Sequence, residues 1–200
     1  MSMSSEARKS KGLTLTDILV TIVIAAVLGV VYKLWGPMYD VVKPFGTHAE
    51  QLVYGMWFIA GTLAFLIIRK PGAATLAEVA AATIEAMLGS QWGMSTLVYG
   101  LAQGLGAEAV FAMFRYRAAG VAVVSLAAIG SGIVSLIVDN YYGYIEFLSA
   151  WNLTLLIVFR LLGSIVIAGL FAYALSKALE KTGVTHLLRP VSQKDYNSLD

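Results

Sequence analysis

The sequence predicts an all-α polytopic membrane protein: six transmembrane helices in a compact bundle, with both termini on the inner side. Three observations lead there. Of 200 residues, 58% are hydrophobic and 13% charged, and the mean hydropathy is +0.77; a soluble domain of this size cannot hide that much apolar surface. The apolar residues fall into runs of the length that crosses a hydrocarbon core of roughly 30 Å. Lys and Arg gather on alternate connections between those runs.

Taken in order, the spans are expected at 17–36, 52–68, 73–90, 95–113, 118–138 and 151–176, within a single integral-membrane domain, 1–200, whose tails are 1–12 and 182–200. Thr16 and Asp17 are suited to cap the first helix. The basic start MSMSSEARKSKG could precede a secretory signal, but no small-residue cleavage site follows, so the first run is taken as a retained span. Arg8, Lys9 and Lys11 precede span one, Arg69 and Lys70 join two and three, Arg115 and Arg117 join four and five, and Lys177, Lys181, Arg189 and Lys194 follow six. The opposite loops hold only Lys33 and Lys43, which puts both termini in the cytoplasm. The outer side carries residues 36–51, GPMYDVVKPFGTHAEQ, expected to be a long loop, and the Tyr- and acid-rich DNYYGYIEFLSAW.

There is no cysteine, so disulfides, thiolate metal sites and Cys nucleophiles are excluded. The two histidines, His48 and His186, lie outside the apolar runs, which removes most zinc and proton-relay chemistry. No metal site, catalytic residue or cofactor is predicted.

The informative stretch is the hairpin at 73–113. Glu78 and Glu85 lie two turns apart on one helix face; Gln91 and Trp92 follow at the turn; Tyr99 and Gln103 share a face of the returning helix. A charge at membrane depth costs several kcal/mol unless it faces a protein interior or a wet cavity. These residues therefore predict a small polar pocket inside the bundle. Arg160 sits about 14 Å below Trp151, at a rise of about 1.5 Å per residue, and needs a partner. Glu78 and Glu85 bracket it in depth. Either could pair with it; Glu78 is favoured as the structural partner and Glu85 as the ligand group, because Glu85 is nearer the outside. Glu108 is read as a solvated helix end. Small residues at four-residue spacing, Ala25 and Gly29, Ala60 and Ala64, Gly100 and Gly104, allow close helix packing.

The stretches LTLTDILVTIVIAAVLGVVYKLWGPMYD and EAMLGSQWGMSTLVYGLAQGLGAE resemble the substrate-binding S component of an energy-coupling-factor (ECF) vitamin transporter, of the YkoE type associated with thiamin and its hydroxymethylpyrimidine precursor. The resemblance covers nearly the whole chain. It implies a bacterial plasma-membrane protein that binds vitamin from outside, while a transmembrane coupling protein and ATPase subunits supply the work; no P-loop is present here. It implies a docking patch on span one at Ala25 and Gly29. Thiamin carries a thiazolium, suited to aromatic faces and a carboxylate, and an aminopyrimidine, which Glu or Gln can read in-plane. The expected ligand-binding set is Glu85, Gln91, Trp92, Tyr99 and Asp139, with Gln103, Tyr142, Trp57, Tyr54 and Trp151 behind them. An intramembrane enzyme using Glu78 and Glu85 as acid and base, and a self-sufficient secondary transporter, are the alternatives.

Overall fold

The computed structural model describes residues 12–183. They form six helical rods. The first is α1 (Leu15–Val42). The second is broken: α2 (Thr47–Val53), a 3-10 segment (Tyr54–Phe58) and α3 (Ile59–Ile68). Then come α4 (Ala73–Met87), α5 (Ser95–Met113) and α6 (Val121–Tyr141). The last is α7 (Ala150–Ser164), which continues through π-helical turns (Ile165–Phe171) into α8 (Ala172–Lys181).

The polarity of α1 is inverted relative to a helix in water. Asp17, Thr21, Ala25, Gly29, Tyr32, Gly36 and Tyr39 recur every three or four residues and are buried. Leu19, Val23, Val27, Val30 and Leu34 point out and are exposed, as a lipid-facing surface requires. A capping box starts the helix: the Asp17 N–H donates to Thr14 Oγ1 (3.3 Å) and the Thr14 N–H to Asp17 Oδ2 (2.6 Å). Every residue of α3 is buried, making it the axis of the bundle. Phe65 on it stacks on Phe111 of α5, centroids 3.6 Å apart.

Four rods are long and apolar enough to span a bilayer: Leu15–Phe45, Thr47–Ile68, Val121–Tyr141 and Ala150–Lys181. The α4–α5 hairpin is the exception. At fifteen residues, α4 is about 22 Å long, and α5 carries Gln103 and Glu108.

Residues 36–51 differ from the long loop expected. α1 runs through Pro37 to Val42, and only a 3-10 turn (Lys43–Phe45) and Gly46 separate it from α2. Gly-Pro reads as a stop in isolation, but Tyr39 continues the buried stripe of Tyr32 and Gly36, and its packing holds the helix together.

Ala25 and Gly29 are not available for docking. Both are buried on the inward face, and a Cβ on Gly29 would lie 2.7 Å from the Ala81 carbonyl of α4. Small residues on α1 seat α4; its outward face is bulky and apolar.

Candidate functional site: an aromatic cavity with carboxylates

At the end of the bundle away from the Arg69–Gly72 and Phe114–Gly120 connections lies a cavity of about 360 Å³, within the range of small-molecule sites. Tyr32 and Tyr39 come to it from α1, Glu50 and Gln51 from α2, and Tyr54 and Trp57 from the 3-10 segment. Glu85 comes from α4, Trp92 from the turn, and Thr96, Tyr99 and Gln103 from α5. Asp139, Tyr144, Leu156 and Arg160 complete the wall, with Lys43 at its edge.

The break in the second rod builds the aromatic part. Tightening to 3-10 geometry over Tyr54–Phe58 turns Tyr54 and Trp57 to the same side. Trp57 lies tilted against Tyr54 at 5.5 Å and meets Trp92 edge-on at 4.7 Å and Tyr39 edge-on at 5.1 Å. Such T-shaped contacts hold rings in fixed orientations.

Arg160, 2% exposed, is held by four neighbours. Its NH1 pairs with Asp139 Oδ2 and donates to Ser135 Oγ (3.2 Å), its Nε donates to Gln51 Oε1 (2.7 Å), and its guanidinium lies 3.8 Å from the Tyr54 ring centroid. Asp139 Oδ1 in turn accepts from the Tyr99 hydroxyl. The expected Glu78–Arg160 ion pair is therefore corrected to Asp139–Arg160. Counting depth along α7 from Trp151 set Arg160 level with the two glutamates, but the end of α6 reaches the same level and brings Asp139 alongside. Gly163 makes the arrangement possible: a Cβ there would collide with the Leu52 carbonyl. Its absence lets α2 lean on α7 and delivers Gln51 to Arg160.

Glu78, 1% exposed, faces away from the cavity. It accepts from the Gly61 N–H (2.8 Å) and from the Tyr32 hydroxyl (3.0 and 3.2 Å to its two oxygens), while that hydroxyl accepts from the Ala60 N–H (2.9 Å). These N–H groups belong to the first turn of α3, whose N-cap, Phe58, has no acceptor in its side chain. A carboxylate at a helix N-terminus is favoured by both the orphan donors and the dipole, so Glu78 needs no cation. Glu108 does the same for α4: it accepts from the backbone N–H groups of Gly72 (2.6 Å), Ala74 (3.1 Å) and Thr75 (3.2 Å). It is a cap rather than a solvated helix end.

Glu85 does line the cavity. Its Oε1 accepts from Ser90 Oγ (3.1 Å), and Ser90 Oγ accepts from Thr96 Oγ1 (2.8 Å) and the Trp92 N–H (3.3 Å), fastening the acid to the turn. Trp57 Nε1 interacts electrostatically with Glu85 but makes no hydrogen bond of normal geometry. Trp57 Nε1 and Gln103 Nε2 are the two buried side-chain polar atoms without a partner among the described residues, and both residues line the cavity. A buried orphan donor costs about 1–3 kcal/mol, which an acceptor on a ligand would recover.

Of the expected ligand set, Glu85, Trp92, Tyr99, Asp139, Gln103, Trp57 and Tyr54 converge on the cavity. Three do not. Gln91 is exposed and packs beside Gly36, where a Cβ would meet its side chain at 3.4 Å. Trp151 is 70% exposed. Tyr142 stands behind Tyr99 at 6.1 Å rather than on the wall. Tyr32, Tyr39, Glu50 and Gln51 were missed. The three from 36–51 were assigned to a loop; the period of Tyr32, Gly36 and Tyr39 was the available signal.

The fold and the cavity define a class: a multi-pass cell-membrane protein built around a partly open cavity of solute size. The family described as the ABC-type cobalt transport system, permease component, matches residues 16–134, and the chain belongs to that family. It is 40% identical over 169 residues to YkoE of Bacillus subtilis (strain 168), which bears the name HMP/thiamine permease protein; the match spans 84% of this chain and 85% of that one. A solved structure titled as an S-component of an ECF transporter superposes with a TM-score of 0.84 at 38% identity, over 88% of this chain and 89% of the other.

Proposed function

We propose that this chain is the substrate-binding S component of an ECF-type ABC transporter, capturing thiamin or its hydroxymethylpyrimidine precursor from outside. Uptake would be powered by a separate transmembrane coupling protein and ATPase subunits. The observation that carries the reading is the cavity: aromatic rings, the carboxylates of Glu50, Glu85 and Asp139, and two donors without a partner among the described residues line about 360 Å³. Aromatic faces suit a thiazolium. The acceptor Glu85 beside the donor Trp57 Nε1 suits the amino group and ring nitrogen of an aminopyrimidine. The names borne by the relatives agree with this chemistry.

Orientation follows from charge. Lys70 pairs with Asp17 (2.6 Å) and Arg69 approaches Glu180 (4.0 Å), so this basic connection shares one end of the bundle with the start of α1 and the end of α8. The positive-inside rule makes that end cytoplasmic, with both termini, and opens the cavity outward. Because Glu78 is engaged with α3 and only Glu85 reaches the cavity, the site favours binding over acid–base catalysis by the two glutamates.

The test is titration of the purified chain with thiamin and with hydroxymethylpyrimidine, read by tryptophan fluorescence and calorimetry. Trp57 and Trp92 report directly. Saturable binding of either ligand at micromolar concentration or below is expected; no response to both overturns the reading.

A further inference from the structure

The end of the bundle opposite the cavity carries its charge unevenly. Lys70 is matched by Asp17 (2.6 Å), and Lys177 by Glu180 (2.7 Å), which Arg69 also approaches. Glu108 at the same end is taken up by the start of α4. Arg115 and Arg117, on the connection between α5 and α6, are different. Both are exposed, and neither side chain is in an ion pair or hydrogen bond among the described residues.

The connection is built to hold them there. Arg115 and Tyr116 both have left-handed backbone (φ 52° and 57°), which non-glycine residues adopt only where the surroundings enforce it. The Tyr116 N–H donates to the Phe111 carbonyl (2.9 Å), and the Arg117 N–H to that of Phe114 (3.1 Å). The Tyr116 ring lies 6.2 Å from that of Phe65 on α3, and its hydroxyl interacts with Glu108. With Tyr116 half-buried, the arginines on either side of it stand out as a pair. The residues just before them are apolar and also uncovered: Met113 is 79% exposed and Phe114 38%. Two guanidinium forks beside bare apolar side chains match a molecule with a phosphate head and a hydrocarbon tail. We propose that the turn at 113–117 seats an anionic phospholipid of the inner leaflet, its phosphate on Arg115 and Arg117 and its acyl chains against Met113 and Phe114. The inner-side placement is the one argued above from charge; a bilayer with identical leaflets removes that dependence from the experiment.

The full chain is placed in nanodiscs of phosphatidylcholine with a minor fraction of phosphatidylglycerol, extracted in mild detergent, and weighed with its retained lipids by native mass spectrometry. The unsubstituted chain should keep phosphatidylglycerol at about tenfold over its share of the bilayer. Arg115→Gln with Arg117→Gln should return it to that share. Arg115→Lys with Arg117→Lys preserves the charge but not the planar fork, and should lose most of the excess. Lys177→Gln with Lys181→Gln, on α8, should lose none. No excess in the unsubstituted chain overturns the inference. So does an excess that survives the glutamine pair, that the lysine pair retains in full, or that the α8 pair loses equally, since each assigns the lipid to diffuse surface charge. Soluble glycerol phosphate should not displace the retained lipid; displacement overturns the phospholipid in favour of a simple phosphate. None of these readouts uses thiamin, so their failure leaves the function proposed above untouched.

Discussion

The Glu78 carboxylate accepts a hydrogen bond from the backbone N–H of Gly61 at 2.8 Å, deep inside the bundle, and is in no ion pair among the described residues. The broken second rod explains why. Ending the 3-10 segment at Phe58 exposes the first donors of α3 within the protein interior, and the acid on α4 covers them together with the Tyr32 hydroxyl. The same acid thereby fixes Tyr32, whose ring lines the cavity.

Removing that cap should destabilise in proportion to what is left unpaired. Glu78→Gln retains an acceptor for Gly61 and should cost about 1 kcal/mol; Glu78→Ala orphans the donor and leaves a hole, about 3 kcal/mol. Unfolding in mixed micelles, followed by tryptophan fluorescence, measures both. Equal and negligible effects would remove the capping role.

The Asp139–Arg160 pair should behave as a buried pair does. Asp139→Asn or Arg160→Met alone leaves one charge uncompensated and should cost about 3–5 kcal/mol, while the double replacement should recover much of that. A double-mutant cycle on stability gives the coupling. Ligand affinity should fall in all three, because Tyr99 and Tyr54 lose the groups that orient them.

The fold was legible in the sequence because lipid imposes a simple rule on length and hydropathy. The six rods and the hairpin carrying Glu85, Trp92, Tyr99 and Gln103 follow from it. What was not legible is what depends on three dimensions. Tyr39, Glu50 and Gln51 were hidden by Gly36-Pro37, whose local preference is overruled by the buried stripe of α1. The partner of Arg160 depended on the relative heights of α6 and α7, which no single helix encodes. The role of Glu78 depended on a helix break at Tyr54–Phe58, where the sequence YGMWF shows no proline. Ala25 and Gly29 have a spacing that fits packing on any helix; only the fold says that α4 takes it.

Gly163 should be intolerant of size. It lies against the Leu52 and Gln51 carbonyls, and a Cβ on Gly55 across the contact would lie 2.7 Å from the Gly163 carbonyl. Gly163→Leu must push α2 off α7, costing about 1–3 kcal/mol by overpacking. It should also part Gln51 from Arg160 and weaken ligand binding. Leu162→Ala, one residue away on the exposed face, should do neither. Circular dichroism in detergent together with ligand titration separates the two variants.

Gln103 offers a case where stability and binding should move apart. It is 2% exposed, and its side chain lies beside Tyr54 with no hydrogen bond of normal geometry to its Nε2 among the described residues. Desolvating that donor costs about 1–3 kcal/mol, tolerable if a ligand acceptor answers it. Gln103→Met has similar length and no donor. The ligand-free variant should be as stable as the parent or more so, while thiamin affinity should drop by about tenfold, the equivalent of roughly 1.4 kcal/mol. Melting the two proteins with and without thiamin reads both quantities at once. The variant should show the higher or equal ligand-free midpoint and the smaller thiamin-induced shift. A lower ligand-free midpoint would mean that Gln103 is a structural member of the wall, and an undiminished shift would mean that the ligand does not use its amide.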